Sequence, residues 1–347
     1  MSKKMEGIKM VEIKAVQATD AKTFEDVLIQ QPAVTDHGIL VEVSAVSVNP
    51  VDTKLKEGLT APKILGYDAV GVVAEVGPDV TKFKVGDRVY YAGSTQVAGS
   101  NQEKQLVDER LVSLAPERLT DAAAAAMPLT TLTAYELLFE KMGFTAAANA
   151  NSGATLLVVN GAGGVGSILT QLAHWAGLTV LATSSPKNFD WLKNHGVDHV
   201  LDYHDDLIQQ VHDLGFTTVD GVALLLAPDL YFDVAAALIR PFGHIGSIVG
   251  RPVELPMYQI KNKAASFDFE YMFAKSDAGY RVETQGEILA QAARLFDAGV
   301  LVSTLTTTID AGISASTLTE AHATVSAGHM VGKLVISGGV TGEAAHD

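Results

Sequence analysis

The segment that decides the fold is residues 155–177, TLLVVNGAGGVGSILTQLAHWAG. A short apolar run of strand type leads into a glycine-rich turn, and a helical pattern then continues to Gly177. This turn has the G-x-G-x-x-G spacing that brings a backbone close to a pyrophosphate at a helix N-terminus. The alternative is a glycine-rich strand–helix turn that holds no ligand. The residues of the predicted dinucleotide turn are Gly161, Ala162, Gly163, Gly164, Val165 and Gly166.

The segments that follow repeat the same alternation of strand and helix. TVLAT (179–183) and HVLDY (199–203) read as short apolar strands, and PKNFDWLKNHG (186–196) between them reads as a helix. VDGVALLLA (219–227) and HIGSIVG (244–250) continue the series. Short apolar strands that alternate with helices predict a parallel sheet covered on both faces, which is an α/β, doubly wound architecture.

The chain on either side of this sheet has a different character. Residues 8–48 and 69–91 predict short β-strands separated by polar turns, and the Ala- and Leu-rich stretch around Pro128 predicts two helices. The tail returns to β-type residues and ends on the strand GKLVIS (332–337). We expect a β-rich domain formed by residues 1–132 and 276–347, and a domain with the parallel sheet and the glycine turn formed by residues 133–275.

Composition narrows the classes of function. The chain has 347 residues and a net charge of −15, which predicts two domains and argues against nucleic acid or an anionic membrane as the main partner. It contains no cysteine, so disulfides, a cysteine nucleophile and thiolate zinc sites are impossible. The sequence has no evident secretory signal and no evident spanning segment, and the cytoplasm is the expected location.

The end of the second predicted strand favours NADPH over NADH. An NAD site usually places an acidic residue about 20 residues after the glycines, to bind the ribose hydroxyls. Here the stretch reads Thr183, Ser184, Ser185, Pro186, Lys187, which has no acid but has hydroxyls and a cation that suit a 2′-phosphate. The alternative for Lys187 is an exposed lysine at a helix start. Tyr203 either flanks the adenosine or is a half-buried strand residue.

Several further motifs occur in order along the chain. They are VSAVSVNPVDTKLKEG (43–58), LGYDAVGVVAEVGPDVTKFKVGDRVYYAG (65–93), SNQEKQLVDERLVSLAP (100–116) and AAAAAMPLTTLTAYELL (122–138). With the glycine turn, they resemble the medium-chain dehydrogenase/reductase superfamily, in particular its zinc-free quinone-oxidoreductase-like group, often labelled zinc-type alcohol dehydrogenase-like. The resemblance implies a chaperonin-10-like catalytic domain built from both termini, a Rossmann domain between them, and a cleft where the two meet.

The resemblance also implies which residues take the zinc-ligand positions of the metal-dependent relatives. Those positions are Asn49, Tyr67 and Leu129, which do not form a credible zinc ligand set, so no metal is expected. Without a Lewis acid, simple alcohol oxidation is disfavoured, and reduction of quinones or activated C=C bonds by NADPH becomes the leading hypothesis. The alternatives are a reductase of saturated aldehydes or ketones, and a cofactor-binding protein with little turnover.

The same resemblance suggests the catalytic residues in the cleft. Asn49 and Asp52 match positions beside the nicotinamide, although N-P is also an ordinary turn signal. The Tyr67 hydroxyl either contacts a substrate carbonyl or belongs to an aromatic wall, and neighbouring Asp68 either orients another group or forms a buried polar pair. Thr131, beside Thr130, is expected at the nicotinamide end of the domain junction, and helix capping is the alternative.

Two expectations concern the C-terminal part of the chain. Lys333 matches a basic position that reaches the cofactor phosphates, and the alternative is a surface lysine at a strand start. SFDFEYMF (266–273) alternates Phe267, Phe269, Tyr271 and Phe273 with other residues, which predicts a strand with one aromatic face. The resemblance implies that this strand ends the Rossmann sheet near an edge, where it invites pairing with a second copy of the chain, and we predict a homodimer. The alternative is that the aromatic residues pack against the following helix, EILAQAARLFDAG (287–299), and that a loop covers the edge.

The segments 53–62, 257–265 and 274–285, which shape the pocket, read as loops.

Overall fold

The computed structural model describes residues 11–20, 23–250 and 252–343. Two large sheets and one two-stranded hairpin organise this part of the chain. The elements of the N-terminal part are β1 (Glu12–Ala18), β2 (Phe24–Gln30), β3 (Gly38–Ser47), α1 (Pro50–Glu57), β4 (Ala69–Val76), β5 (Arg88–Tyr91), β6 (Lys104–Asp108), β7 (Val112–Leu114), α2 (Asp121–Ala125) and α3 (Pro128–Tyr135). Helices α2 and α3 are separated at Met127–Pro128, as the sequence around Pro128 predicts.

The glycine turn belongs to a six-stranded sheet in which all paired neighbours are parallel. Its elements are β8 (Thr155–Val159), α4 (Gly164–Trp175), β9 (Thr179–Ser184), α5 (Phe189–Asn194), β10 (His199–Asp202), α6 (Leu207–Asp213), β11 (Val219–Leu224), α7 (Pro228–Leu238), β12 (Ile239–Ser247), α8 (Tyr258–Lys261) and β13 (Ser266–Phe269). The strand order is β10-β9-β8-β11-β12-β13, which reverses direction between β8 and β11. In open parallel sheets a ligand crevice lies at the carboxyl ends of the strands at such a reversal.

The C-terminal segment completes the other large sheet. Its elements are α9 (Ala274–Ala278), α10 (Glu283–Asp297), β14 (Leu305–Ile309), α11 (Ala315–Ser326) and β15 (Lys333–Ser337). Strand β15 pairs antiparallel with β3, so the sheet has the order β14-β15-β3-β4-β5-β7, with β6 also paired to β3. This architecture confirms the α/β fold with a doubly wound sheet and a β-rich second domain. The domain limits given above stay a prediction.

One apolar helical run lies between the two sheets. Asp121–Lys141 is long and apolar enough to cross a membrane by length and composition, yet 78% of its apolar window is buried inside the protein. The expectation that no segment reaches that length is therefore wrong for this run. Its α3 portion packs against α4, which begins at the glycine turn. The run is a core element that brings the turn and the β-rich sheet together.

The aromatic segment 266–273 differs from its prediction. Strand β13 is at the edge of the parallel sheet but ends at Phe269, so the alternation does not continue to Phe273. Tyr271 is 51% exposed whereas Phe273 is buried, and the four aromatic rings do not share one face. The backbone N–H of Glu270, directly after the strand, donates to the Ser247 carbonyl of β12 at 2.9 Å and does not face a partner chain. A proline at position 270 would remove this hydrogen bond and would therefore destabilise the chain's own sheet.

Three segments that read as loops contain helices. Residues 53–57 belong to α1, residues 258–261 form α8, and residues 274–278 form α9. Each helix has eight residues or fewer, too short for a 3.6-residue apolar pattern to stand out in the sequence. These three segments are consequently more regular than the sequence indicates.

Candidate active site

The glycine turn is fixed by close packing between β8, β9 and α4. The Gly161 N–H donates to the Thr183 carbonyl at 3.0 Å, which anchors the turn to the end of β9. A Cβ atom on Gly161 would lie 2.8 Å from the Ala182 Cβ, and one on Gly166 would lie 2.4 Å from the Asn160 carbonyl oxygen. Neither a Cβ atom nor a backbone oxygen can yield as the end of a long flexible side chain can, so these positions require glycine for packing.

The middle of the turn faces the cleft and fits a dinucleotide. Gly163 is the residue before α4 and has no side chain to cap it, so the first N–H groups of this 12-residue helix keep their capacity for an anion. Gly163, Gly164 and Val165 are half-buried rather than enclosed. A Cβ on Gly164 would lie 3.1 Å from the Lys333 Cδ and 3.5 Å from the Thr130 Cγ2. The glycine keeps open the space between the turn and these two side chains.

The residues expected at the 2′-phosphate divide into two sets. Thr183 is buried and its hydroxyl accepts the Asn160 N–H at 3.0 Å, so this side chain holds the turn in place. The Ser184 hydroxyl is also buried and accepts from the Asn188 side chain at 3.0 Å. Ser185 is half-buried and Lys187 is exposed at the rim of the crevice. Tyr203 lies just beyond β10 with 44% of its surface exposed, beside His204 at 4.1 Å between ring centroids.

A buried polar cluster lies on the other side of the glycine turn. The Asp68 carboxylate accepts from the Asn49 side-chain amide at 2.8 Å, from the Leu129 N–H at 2.7 Å and from the Lys333 ammonium at 3.1 Å. The Lys333 ammonium also donates to the Asn49 side-chain oxygen. Asn49, Asp68 and Lys333 are each at most 3% exposed. Burial raises the pKa of the Asp68 carboxyl, and the Lys333 charge and the three hydrogen bonds counter that rise.

This cluster corrects one of the alternatives for Lys333. The residue is at the start of β15, as expected, but it is buried rather than at the surface. Its ammonium is turned toward Asn49 and Asp68, residues that lie 284 and 265 positions away in the chain. The alternative of a buried polar pair for Asp68 is correct, although the sequence did not indicate its partner. The single acid in the motif LGYD was the only sequence signal for it.

Asp52 has a separate role at the start of α1. One carboxylate oxygen accepts the Asn49 N–H at 2.8 Å, and the other accepts the Gly66 N–H at 3.1 Å. Asn49 and Asp52 thereby cap the helix, as the N-P-V-D sequence allows. Burial raises the pKa of Asp52 to about 7, because desolvation and the nearby Asp68 charge outweigh its hydrogen bonds. Asp52 thus holds Asn49 in place through a buried hydrogen bond.

Two buried hydroxyls in this region have no hydrogen-bond partner among the described residues. These are the Tyr67 hydroxyl and the Thr131 hydroxyl, both on side chains with 0% exposure. The Tyr67 ring contacts the Phe273 ring edge-on, with 5.2 Å between centroids, and burial raises the pKa of its phenol. The Thr130 hydroxyl, in contrast, donates to the carbonyl of Met127, the residue that precedes its helix. A buried hydroxyl without a partner is costly, so these two groups are the natural donors for a ligand.

The residues present do not fit a catalytic zinc ion. Across the described ranges, no group of three His, Cys, Asp or Glu side chains is placed to hold a metal. Three positions match zinc ligands. Asn49 accepts a hydrogen bond from Lys333, Tyr67 packs on an aromatic ring, and Leu129 contributes only its backbone N–H, which donates to Asp68. A positive charge is nevertheless present, because the Lys333 ammonium is paired with Asp68 in the same cluster.

A parallel sheet with a glycine turn, joined to a β-rich domain across a polar cleft, defines a dinucleotide-dependent dehydrogenase or reductase. Residues 35–117 match the family "alcohol dehydrogenase GroES-like domain", and residues 195–336 match "zinc-binding dehydrogenase". A zinc-type alcohol dehydrogenase-like protein of Staphylococcus epidermidis is 39% identical over 325 residues, covering 92% of this chain and 96% of that protein. The chain belongs to the medium-chain dehydrogenase/reductase superfamily and to its group of zinc-type alcohol dehydrogenase-like and quinone-oxidoreductase-like proteins.

Two further comparisons support this assignment. A protein of Rhizobium etli CFN 42, named for the zinc-dependent alcohol dehydrogenases, has a crystal structure with a TM-score of 0.90 and 39% identity, covering 95% of this chain and 99% of that one. An Arabidopsis thaliana protein named NADPH-dependent alkenal/one oxidoreductase is 33% identical over 233 residues, which cover 63% of this chain and 57% of that protein. Oxidoreductase activity follows from the family.

Proposed function

We propose that this protein is an NADPH-dependent reductase of quinones or α,β-unsaturated carbonyl compounds that acts without a metal. The observation that carries the proposal is the pairing of two sites across one cleft. The open face of the glycine turn at Gly164 suits a dinucleotide, and the cluster beside it supplies a lysine cation where metal-dependent relatives have zinc ligands. The quoted names of some relatives include zinc, but the ligand set of this chain does not suit that ion.

NADPH is the favoured cofactor because of the rim of the crevice. The residues that end and directly follow β9, Thr183 to Lys187, include no acid to bind a ribose 2′-hydroxyl, whereas Ser185 and the exposed Lys187 are available for a 2′-phosphate. The Arabidopsis relative is named for its NADPH dependence, which agrees with this choice. In a chain of net charge −15, a local cation is needed to attract an anionic ligand.

The chemistry assigned to the chain is positioning and charge stabilisation. A bound reduced nicotinamide supplies the hydride. Asn49, held by Asp52, and Thr131 are the residues of this chain that we place at the reacting end of the cofactor. A quinone or enone spreads the added electron pair onto an oxygen, so donors such as the Tyr67 hydroxyl can stabilise the charge without a Lewis acid.

A side-by-side substrate comparison tests this function. NADPH oxidation is measured with 1,4-benzoquinone, with pent-1-en-3-one and with propanal, and each assay is repeated with NADH. We expect turnover with the first two substrates, little with propanal, and faster rates with NADPH at low cofactor concentration. Preference for propanal would support the alternative of a saturated carbonyl reductase. Tight NADPH binding without turnover of any of the three would favour a cofactor-binding protein.

We also propose a homodimer located in the cytoplasm. Strand β13 pairs only with β12 among the described strands, and its last residue, Phe269, is 56% exposed. An unpaired strand edge next to exposed aromatic surface favours association with a second copy. Light scattering at micromolar concentration is expected to give twice the chain mass, and a monomer at every accessible concentration would refute the dimer.

A further inference from the structure

The Lys333 ammonium has a donor that the cluster does not use. A protonated lysine has three N–H bonds. In the structure the ammonium donates to the Asn49 side-chain oxygen and to the Asp68 carboxylate, and no further acceptor contacts it among the described residues. The residue is only 3% exposed, so its position is fixed by these two contacts rather than by solvent. One N–H bond is left for a ligand.

The backbone around Lys333 places that donor next to the cofactor turn. The N–H of the preceding residue, Gly332, donates to the Ala162 carbonyl inside the turn at 3.0 Å. The Lys333 Cδ lies where a side chain on Gly164 would clash. The aliphatic part of the lysine therefore borders the open face of the turn, while its ammonium reaches the Asn49–Asp68 side of the cleft. This position lies between the expected cofactor and the residues that replace the zinc ligands.

The charge balance of the cluster decides which ligand group the Lys333 ammonium can bind. Asp68 is 0% exposed and already compensates the Lys333 charge, so the pair is close to neutral. A doubly charged phosphate would bring more negative charge next to the buried Asp68 carboxylate than one ammonium can balance, whereas a single oxyanion, such as an enolate or a phenolate, can be stabilised by the remaining N–H bond. A carbonyl oxygen is neutral when it binds and gains charge only during the reaction. A polarised N–H donor held in a buried site is well suited to that change.

We propose that Lys333 is a catalytic residue that donates its remaining N–H to the substrate carbonyl oxygen, oriented by Asp68 and Asn49. This inference rests on the proposed reductase function and replaces the expected contact between Lys333 and the cofactor phosphates. Asp68 and Asn49 are positioning residues, because they act on the substrate through the lysine. The site thus performs with an ammonium the charge stabilisation that a metal ion performs in other dehydrogenases.

Reduction of an enone at this site adds a hydride and then a proton to the substrate. Hydride from the reduced nicotinamide forms a C–H bond at the β-carbon, the C=C π pair shifts toward the carbonyl, and the carbonyl oxygen becomes an enolate oxygen. Lys333 stabilises that oxygen by a hydrogen bond and keeps its proton. A proton from solvent then bonds to the α-carbon as the enolate collapses to the ketone. The net change is one hydride and one proton added to the substrate, and the nicotinamide is oxidised.

A phenol that titrates near neutral pH tests the oxygen site without any turnover. 4-Nitrophenol is bound to the protein in the presence of NADP⁺, and its phenolate is followed by absorbance as a function of pH. The proposed site binds the phenolate more tightly than the phenol, so the pKa of the bound probe is expected to fall by about one unit, a tenfold preference. An unchanged probe pKa in the wild type, or no binding of the probe, would overturn the proposal.

Matched variants assign the effect to Lys333. K333M alone leaves Asp68 buried without its cation, so the neutral double variant K333M/D68N provides a folded alternative if the single variant fails to fold. The double variant is expected to lose the probe shift, to lose about 10²-fold in kcat, and to bind NADPH within about threefold of the wild type. K82M, a change at an exposed lysine, is the control for general charge effects.

The outcomes separate this inference from the proposed function. Weaker NADPH binding with unchanged kcat and probe pKa in the double variant would overturn the inference in favour of a phosphate contact, and the reductase function would stand. A second outcome is that the double variant loses the probe shift although the wild type reduces none of the quinone, the enone and the aldehyde. That result would support the oxygen site and would contradict the proposed substrate class.

Discussion

The two sides of the cleft are stabilised in opposite ways. On one side, the glycine turn is held by backbone hydrogen bonds and by packing so close that a single methyl group does not fit at Gly166. On the other side, the cluster of Asn49, Asp68 and Lys333 is held by buried charges and side-chain hydrogen bonds. The turn should be sensitive to added volume and indifferent to charge. The cluster should be sensitive to charge and to pH.

The largest expected effect is the removal of the buried cation. K333M leaves the Asp68 carboxylate without its ion-pair partner, which we expect to lower the free energy of unfolding by about 3–5 kcal/mol near pH 8. Burial then raises the pKa of Asp68 further, because the lysine no longer opposes it. A carboxyl with a raised pKa in the folded state stabilises when protonated, so K333M should recover stability as the pH falls. Denaturant unfolding between pH 5 and 8 measures this.

The double variant K333M/D68N is the control for that experiment. It has no buried charge at the cluster, so its stability should exceed that of K333M at pH 8 and should change less with pH. Equal stability of K333M and the wild type over the whole range would show that the ion pair does not contribute to the fold.

The turn should respond to volume instead. In G166A the new Cβ would meet the Asn160 and Gly161 carbonyl oxygens at 2.4 and 2.6 Å, so the backbone must shift. We expect a loss of about 1–3 kcal/mol in the free energy of unfolding and a marked loss of NADPH affinity, measured by denaturation and by fluorescence titration. G250A, at a position with no atom within 4 Å of the added methyl group, should be close to neutral. Wild-type affinity in G166A would contradict the packing argument.

His322 provides a buried ionisable group that belongs to neither side of the cleft. Neither ring nitrogen has a hydrogen-bond partner among the described residues, and its ring packs edge-on against Phe24 with 4.7 Å between centroids. Burial and the nearby Lys56 charge lower the pKa of His322 from 6.5 to about 4. The unfolded state therefore takes up a proton first as the pH falls from 6.5 to 4, which destabilises the fold by up to about 3 kcal/mol.

H322F should remove that acid sensitivity. The substitution keeps an aromatic ring beside Phe24 and removes the titrating group. Thermal unfolding from pH 7 to 4.5 should show a shallower decline for H322F than for the wild type. Identical slopes would mean that other groups cause the acid sensitivity.

The smallest expected effect is at the rim of the turn. Lys187 is exposed, and an exposed cation gains about 1 kcal/mol or less from a charge pair, depending on salt. K187A should therefore reduce the preference for NADPH over NADH by about fivefold at low salt, and less at high salt. Dissociation constants for both cofactors in each protein test this. A wild type that binds NADH as tightly as NADPH would remove the basis for the prediction.

Features formed by residues close together in the chain could be predicted from the sequence, whereas contacts between distant residues could not. The glycine turn and its flanking strand and helix lie within residues 155–177, and their pattern was sufficient to predict both the fold and the cofactor crevice. The contact between Asn49 and Lys333 joins residues 284 positions apart, and no local pattern indicates it. In SFDFEYMF the aromatic residues alternate in the sequence, but the strand ends at Phe269, so Tyr271 is exposed whereas Phe273 is buried.

Zinc content and activity, measured on the same sample, show whether the protein acts as a reductase without a metal. The purified protein is dialysed against a chelator, its zinc is quantified, and its NADPH oxidation with pent-1-en-3-one is compared with that of the untreated protein. We expect no stoichiometric zinc before or after dialysis and an unchanged rate. One tightly held zinc per chain, with activity lost on its removal and restored by its return, would contradict a reductase that relies on Lys333 in place of a metal.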